Sequence, residues 1–263
     1  MAETRKAIRM LYFANTKTAR GNIITVRNGE LSETVVIASD IASHSVIGSP
    51  IIALANGIND EFSKLGERKS DLSESGYRKA AGDVLNGKVR PLWSAAVEAV
   101  RSAEADHVNR FARVVEVADP AIGAEVRGYL RTLAPADALR IASGSPSLLA
   151  ACAAAPAALS GLTEAIHAEA VRLHRVERAK AALLVQRPGD FRSKPSLADP
   201  VAGKVDEAAL AEAATALVAS IDTNLATIES ARTALGRFLA VLSVSSDRQS
   251  SNVLAMLNGA EWG

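Results

Sequence analysis

The chain is poor in the residue types that usually carry enzyme chemistry or cross-link a small fold. Aromatic residues make up 4% of its 263 residues, and it has four histidines and a single cysteine, Cys152. One cysteine excludes an intrachain disulfide, and its alanine-rich surroundings predict a small buried side chain, not a reactive thiol. Because the sequence has no Cys-x-x-Cys and no His-Glu-x-x-His, we expect none of the common zinc sites.

The sequence also lacks an excess of charge of one sign and lacks long apolar runs. It has 30 basic and 29 acidic residues, for a net charge of +1. Such a balance gives no overall field that would attract nucleic acid or an anionic membrane. No stretch reaches the roughly 18 consecutive apolar residues of a membrane-spanning helix. We therefore expect no membrane partner and a cytoplasmic location, or a virion location if the chain is phage-encoded.

Alanine, by contrast, accounts for about a fifth of the residues, and it is the strongest helix former. Apolar residues recur at spacings of three and four, which predicts a mainly α fold built as a bundle of long helices near 77–118, 163–186 and 204–243. Prolines between 119 and 162 predict several short helices that begin at a proline, with Asp119 and Ser145 as caps.

This pattern divides the chain into four segments. They are an N-terminal extension over 1–66, a helical body over 77–186, a Pro/Gly-rich linker or arm over 187–203, and a C-terminal segment over 204–263. The last segment contains the longest helix and a final short helix. A structureless connection as long as 187–203 is uncommon inside a compact domain, so we expect it to act as a linker or as an arm on a neighbouring surface.

The N-terminal extension is the least regular part of the sequence. Residues 1–20 predict a basic amphipathic helix, and a nucleic-acid contact, if the protein makes one, is expected there. Asn28-Gly29 lies between two β-branched runs and predicts a β-hairpin over 23–38, since both residues tolerate positive φ. The second run also fits a helix, so hairpin and helix stay as alternatives. From about 40 to 65 we expect helix interrupted at glycines and a proline.

The strongest pattern in the sequence is an apolar seam near the C-terminus, with spacings of four and three that continue without a break for about four heptads. Its members are Leu210, Ala214, Leu217, Ile221, Asn224, Ile228, Ala231, Leu235, Phe238 and Leu242. Asn224 is its one strongly polar residue, and such a residue can set the register of helix pairing. The seam either packs inside the chain's own bundle or pairs with another chain as a coiled coil. We take Leu210, Leu217, Ile221, Asn224, Ile228, Leu235, Phe238, Leu242 and Trp262, which lies next to the C-terminal residue, as candidate interaction residues.

Two Glu-x-x-His motifs raise the possibility of a di-metal site. Glu104 and His107 form one motif, and Glu164 and His167 form the other. Ferritin-like di-iron proteins combine two such motifs with bridging glutamates from two further helices. The prolines between the motifs leave no glutamate midway along a long helix, so we expect no metal and no cofactor.

These observations favour a non-enzymatic structural or assembly protein whose partners are protein subunits, either further copies of itself or other chains. Ala-rich helical chains with extended arms suggest by analogy a component of a bacteriophage particle, or a scaffold built alongside one. A ferritin-like di-iron oxidoreductase is the alternative. A helical adaptor that contacts nucleic acid through residues 1–20 is a weaker one.

Overall fold

The computed structural model describes residues 11–112, 120–192, 201 and 203–259. Over these residues the chain is mostly helical, with one small antiparallel sheet at its N-terminal end. The chain divides into two compact units: residues 1–106 together with 224–263, and residues 107–223. Whereas the four predicted segments are continuous ranges, the first unit combines both ends of the chain.

The sheet contains strands β1 (Leu11–Thr18), β2 (Gly21–Asn28) and β3 (Leu31–Ala38) in that order, with antiparallel neighbours. The hairpin over 23–38 is therefore confirmed, and its helical alternative is wrong over β3. The basic amphipathic helix over 1–20 is wrong for Leu11–Thr18, and residues 1–10 lie outside the described residues. Leu11 and Phe13 pack against the core from one side of β1, and Phe13 stacks on Phe62. This tertiary contact outweighs the local helical pattern.

A two-residue turn, Gly29-Glu30, joins β2 to β3. Gly29 has φ +65°, whereas Glu30 has no positive φ, which is the pattern of a turn with glycine at its first central position. Asn28 is thus the last residue of β2, not part of the turn. Its buried side chain donates from Nδ2 to the carbonyl of Val244 at 2.9 Å.

Most of the rest of the described chain is helical. Their bounds are α1 Ser39–Ser43, α2 Gly48–Glu67, α3 Glu74–Val84, α4 Arg90–Ala112, α5 Pro120–Leu130, α6 Pro135–Ser143, α7 Pro146–Ala153, α8 Ala157–Ser160, α9 Glu164–Gln186, α10 Glu207–Ser246 and α11 Ser250–Leu257. A 3₁₀ turn covers Lys69–Asp71, and a π-helical turn, Leu85–Val89, joins α3 to α4.

Several helices begin where the sequence supplies a capping group. The hydroxyls of Ser73 and Thr163 accept from backbone N–H groups in the first turns of α3 and α9, and Asp206 does the same for α10. Such bonds satisfy donors that a helix start leaves unpaired. Helices α5, α6 and α7 begin at prolines, but the Ser145 hydroxyl bonds that of Ser147 and does not cap α7. Asp119 lies outside the described residues.

Helix α2 differs from the interrupted helix expected from the sequence. It continues through Pro50 and Gly57, because Pro50 falls in the first turn, where a missing N–H costs nothing. Gly57 has a packing role: a Cβ there would lie 2.3 Å from Cδ1 of Leu92 on α4. The absent side chain lets the two helices approach closely.

Each unit has its own core. In the first unit, one face of the sheet packs with residues of α2, α3, α4, α10 and α11, and Ile24, Ile37, Phe62 and Phe238 are fully buried there. The second unit has two clusters. One joins the later part of α9 to the earlier part of α10 and includes Phe191. The other joins α5, α6 and α7 to the earlier part of α9 and includes Cys152.

Residues in the predicted linker over 187–203 form backbone contacts with residues just after it. Phe191 is buried in the core of the second unit, and Arg192 pairs with Val205 in an isolated antiparallel bridge. The backbone N–H of Asp206 also donates to the Phe191 carbonyl at 2.8 Å. Residues 193–200 and 202 lie outside the described residues, so the arm stays a prediction.

Candidate interaction surfaces

The apolar seam of α10 is buried inside the chain. Leu210, Ala214 and Ile221 belong to a core cluster of the second unit, with Leu217 packed against it. The later seam residues are buried in the core of the first unit, namely Ile228, Ala231, Leu235, Phe238 and Leu242. A partner helix could reach these side chains only if the core that buries them within each unit opened. The accessible surface for a partner therefore lies elsewhere, and Trp262 lies outside the described residues.

Asn224, the polar seam residue, is bound to His44, which follows α1. The Nε2 of His44 lies 2.7 Å from the Asn224 Oδ1, while the His44 Nδ1 accepts from the N–H groups of Val46 and Ile47 at 3.2 Å each. Because Nδ1 acts as an acceptor, Nε2 carries the proton and donates to Asn224. The imidazole of His44 thus links the turn after α1 to α10.

The residues of the two Glu-x-x-His motifs have other partners. Oε1 of Glu104 lies 2.8 Å from Nε of Arg232, and His107 is buried and stacks on Phe111. Nε2 of His167 lies 2.8 Å from the Ala155 carbonyl and 3.1 Å from that of Cys152. Since a carbonyl can only accept, this nitrogen carries a proton and has no lone pair for a metal.

The structure does not bring these four motif residues into one cluster. Within the described ranges, no group of three or more His, Cys, Asp or Glu side chains is arranged to hold a metal ion. The Cys152 thiol is fully buried, and burial raises its pKa, which disfavours the reactive thiolate.

One surface that the sequence did not point to is the outer face of the sheet, the face opposite the core of the first unit. Three of its cross-strand rows are Tyr12, Arg27 and Ser32; Ala14, Thr25 and Thr34; and Thr16, Ile23 and Val36. Tyr12 is 61% exposed and Val36 52% exposed, and the Thr25 and Thr34 hydroxyls bond each other at 3.1 Å. A β-branched face with exposed apolar side chains is a surface suited to packing against another protein.

A second feature is a groove at the β3 edge of the sheet, with a volume of about 590 Å³. One wall is β3 with the start of α1, and the other is one flank of α10. The lining residues are Glu33, Thr34, Val36, Ala38, Ile41, Ser230, Thr233, Ala234 and Arg237. The β-branched run of β3 was visible in the sequence, but its position at a sheet edge beside α10 depends on tertiary packing.

None of the described helices is long and apolar enough to cross a membrane. No family model, curated protein or solved structure matches the chain.

Proposed function

We propose that this protein is a non-enzymatic assembly protein that packs against other protein subunits through the outer face of its sheet. The supporting observation is the exposure of Tyr12 and Val36 on a face that also carries three threonines, Thr16, Thr25 and Thr34. Covering such a face removes apolar area from water at a gain of roughly 25 cal/mol per Å². The hydroxyls can bond one another or the partner, as Thr25 and Thr34 already do.

The finer parts of the proposal follow from the sequence pattern. The helices form a bundle-like frame, and the subunits include further copies of this chain, which form an oligomer, together with other chains. The assembly is a bacteriophage particle or a scaffold built alongside one, which extends the analogy with Ala-rich helical particle proteins. A coiled coil through α10 is a weaker part of the proposal because the seam is buried within the chain.

Size-exclusion chromatography with light scattering tests the proposal. We expect the wild-type mass to be a multiple of 27.4 kDa, and we expect the double variant Tyr12→Glu/Val36→Glu to lower it. Val185→Glu is the matched control, since Val185 is an exposed apolar residue on α9. This control should leave the mass unchanged.

A wild-type monomer, or a mass insensitive to the sheet substitutions, would contradict assembly through this face. Metal analysis of the same sample tests the di-iron alternative, which requires stoichiometric iron or manganese. Salt-dependent binding to DNA or RNA would instead support the adaptor alternative.

A further inference from the structure

The outer edge of β3 carries backbone groups that no other described strand uses. Leu31 and Asn28 flank the two-residue turn, so they exchange hydrogen bonds, and alternate pairs along the ladder do the same. The bond from the Ser39 N–H to the Arg20 carbonyl, one step beyond the strands, fits this alternation. The N–H and C=O groups of Ser32, Thr34 and Val36 therefore point away from β2. Within the described ranges, no strand pairs with this edge.

The groove beside this edge has a volume close to that of a short stretch of extended chain. One residue of a strand occupies about 160 Å³, from a rise of about 3.4 Å, a strand spacing of about 4.8 Å and a sheet spacing of about 10 Å. The groove of about 590 Å³ thus has room for about four residues of extended chain. On α10 the wall consists of Ser230, Thr233 and Ala234, small residues on one helix face.

The two ends of the groove differ in charge. Asn28, before β3, bonds the carbonyl of Val244, whereas Asp40, after β3, accepts from the Thr227 hydroxyl at 3.3 Å. Helix α10 therefore runs antiparallel to β3, and this places Arg237 near Glu33 at the turn end. At the opposite end, the residues that line the groove, Ala38, Ile41 and Ser230, are uncharged.

Arg237 supplies the selective contact. Its side chain is exposed, and within the described part of the chain it has no ion pair or hydrogen bond. Glu33 is half-buried on the strand itself. A guanidinium on the solvent side of the groove favours an occupant with a carboxylate at this end, and Glu33 opposes it by like-charge repulsion.

We propose that the groove between β3 and α10 binds an extended segment of a partner protein, which joins the sheet as a fourth strand antiparallel to β3. The segment has small or β-branched residues at the Ala38 end and a carboxylate near its C-terminal end, beside Arg237. Strand addition of this kind obtains affinity from main-chain hydrogen bonds and specificity from alternate side chains. The inference rests on the proposed assembly function and adds the chemistry of one partner.

The test is a titration of ¹⁵N-labelled full-length protein with the blocked peptide acetyl-Thr-Val-Ala-Val-Asp-Thr-amide, followed by NMR. We expect saturable shifts of the amide resonances of Ser32, Thr34 and Val36. N-methylation of alternate peptide amides should weaken binding about tenfold or more, because it removes main-chain donors. Arg237→Glu should weaken binding about tenfold, whereas Glu33→Gln should strengthen it severalfold. Replacing the peptide Asp with Lys should reverse the preference between wild type and Arg237→Glu.

Thr233→Trp, which fills the groove from an exposed position, should abolish the shifts, and Thr215→Trp on an exposed position of α10 is its control. The proposal is overturned if the three amides do not respond, or if N-methylated and unmodified peptides bind equally. Concentration-dependent self-association that the peptide displaces would identify a second copy as the occupant and would also overturn it. Failure here leaves the light-scattering result for the outer sheet face unaffected, so the two proposals can fail separately.

Discussion

Asn224 illustrates how a single polar residue can be accommodated on an apolar helix face. The sequence predicts that it sets helix pairing, whereas the structure shows it accepting a hydrogen bond from His44 within the first unit. A half-buried amide without this bond would lose its compensation for desolvation. The residue type and its place on the seam were visible in the sequence, but its partner, 180 positions away, was not.

We predict that His44 and Asn224 are energetically coupled. His44→Ala and Asn224→Ala should each lower the free energy of unfolding by about 1–2 kcal/mol. The double variant should lose less than the sum, with a coupling of about 1 kcal/mol. Urea unfolding of the four proteins measures this. Thr233→Ala is the control partner, because its hydroxyl bonds the carbonyl of Glu229 on the same helix. If the coupling between His44→Ala and Asn224→Ala were as small as that between His44→Ala and Thr233→Ala, the hydrogen bond between His44 and Asn224 would be refuted.

At the scale of elements, local pattern predicted the helices better than the strands. The bounds of α9 and α10 differ from the predicted helices by a few residues, since caps and spacing act within a turn or two. Strand β1 was missed because its pairing with β2 and the contact of Phe13 with Phe62 decide its conformation. The sequence also wrongly predicted that α2 is interrupted at Gly57. The glycine is there because α2 packs closely against Leu92, not because the helix breaks.

Gly21, at the start of β2, gives a prediction for the sheet. Its φ is +134°, and a Cβ there would lie 2.0 Å from the Ile37 carbonyl oxygen. Gly21→Ala should therefore lower the free energy of unfolding by about 2 kcal/mol or more, through backbone strain and displacement of β3. Gly236→Ala is the matched control. Gly236 is an exposed residue inside α10, with no neighbour within 4 Å of an added Cβ.

The control should raise the free energy of unfolding by about 0.5–1 kcal/mol, because alanine is the better helix former. Thermal and urea unfolding of both variants provide the measurement. If Gly21→Ala were neutral, the close approach of Gly21 to β3 would be wrong.

At the scale of the whole molecule, α10 contributes one apolar seam to separate cores. Leu210 is buried in the second unit and Phe238 in the first. The structure therefore assigns the seam to intramolecular packing, and leaves the sheet face and the β3 groove as accessible surfaces. We therefore expect a substitution in the earlier part of α10 to destabilise the second unit, and one in the later part to destabilise the first unit.

We predict that Leu210→Ala increases amide hydrogen exchange within 107–223, and that Phe238→Ala increases it within the other unit. Each should cost about 2–5 kcal/mol through lost burial and a residual cavity. Hydrogen-exchange mass spectrometry locates the effect, and light scattering should show the same oligomeric mass for both variants and wild type. A mass that fell with either substitution would show that the seam pairs between chains.

The sequence by itself determined the mainly helical character and the long apolar face of α10, and it offered the hairpin at Gly29 as one of two alternatives, because capping, turn geometry and side-chain spacing act over a few neighbouring residues. Only the tertiary structure decided that β1 completes a sheet, that the seam faces inward, and that β3 forms an open edge beside Arg237. These features depend on contacts between residues far apart in the chain. Their energies come from burial and strand pairing, which no local pattern contains.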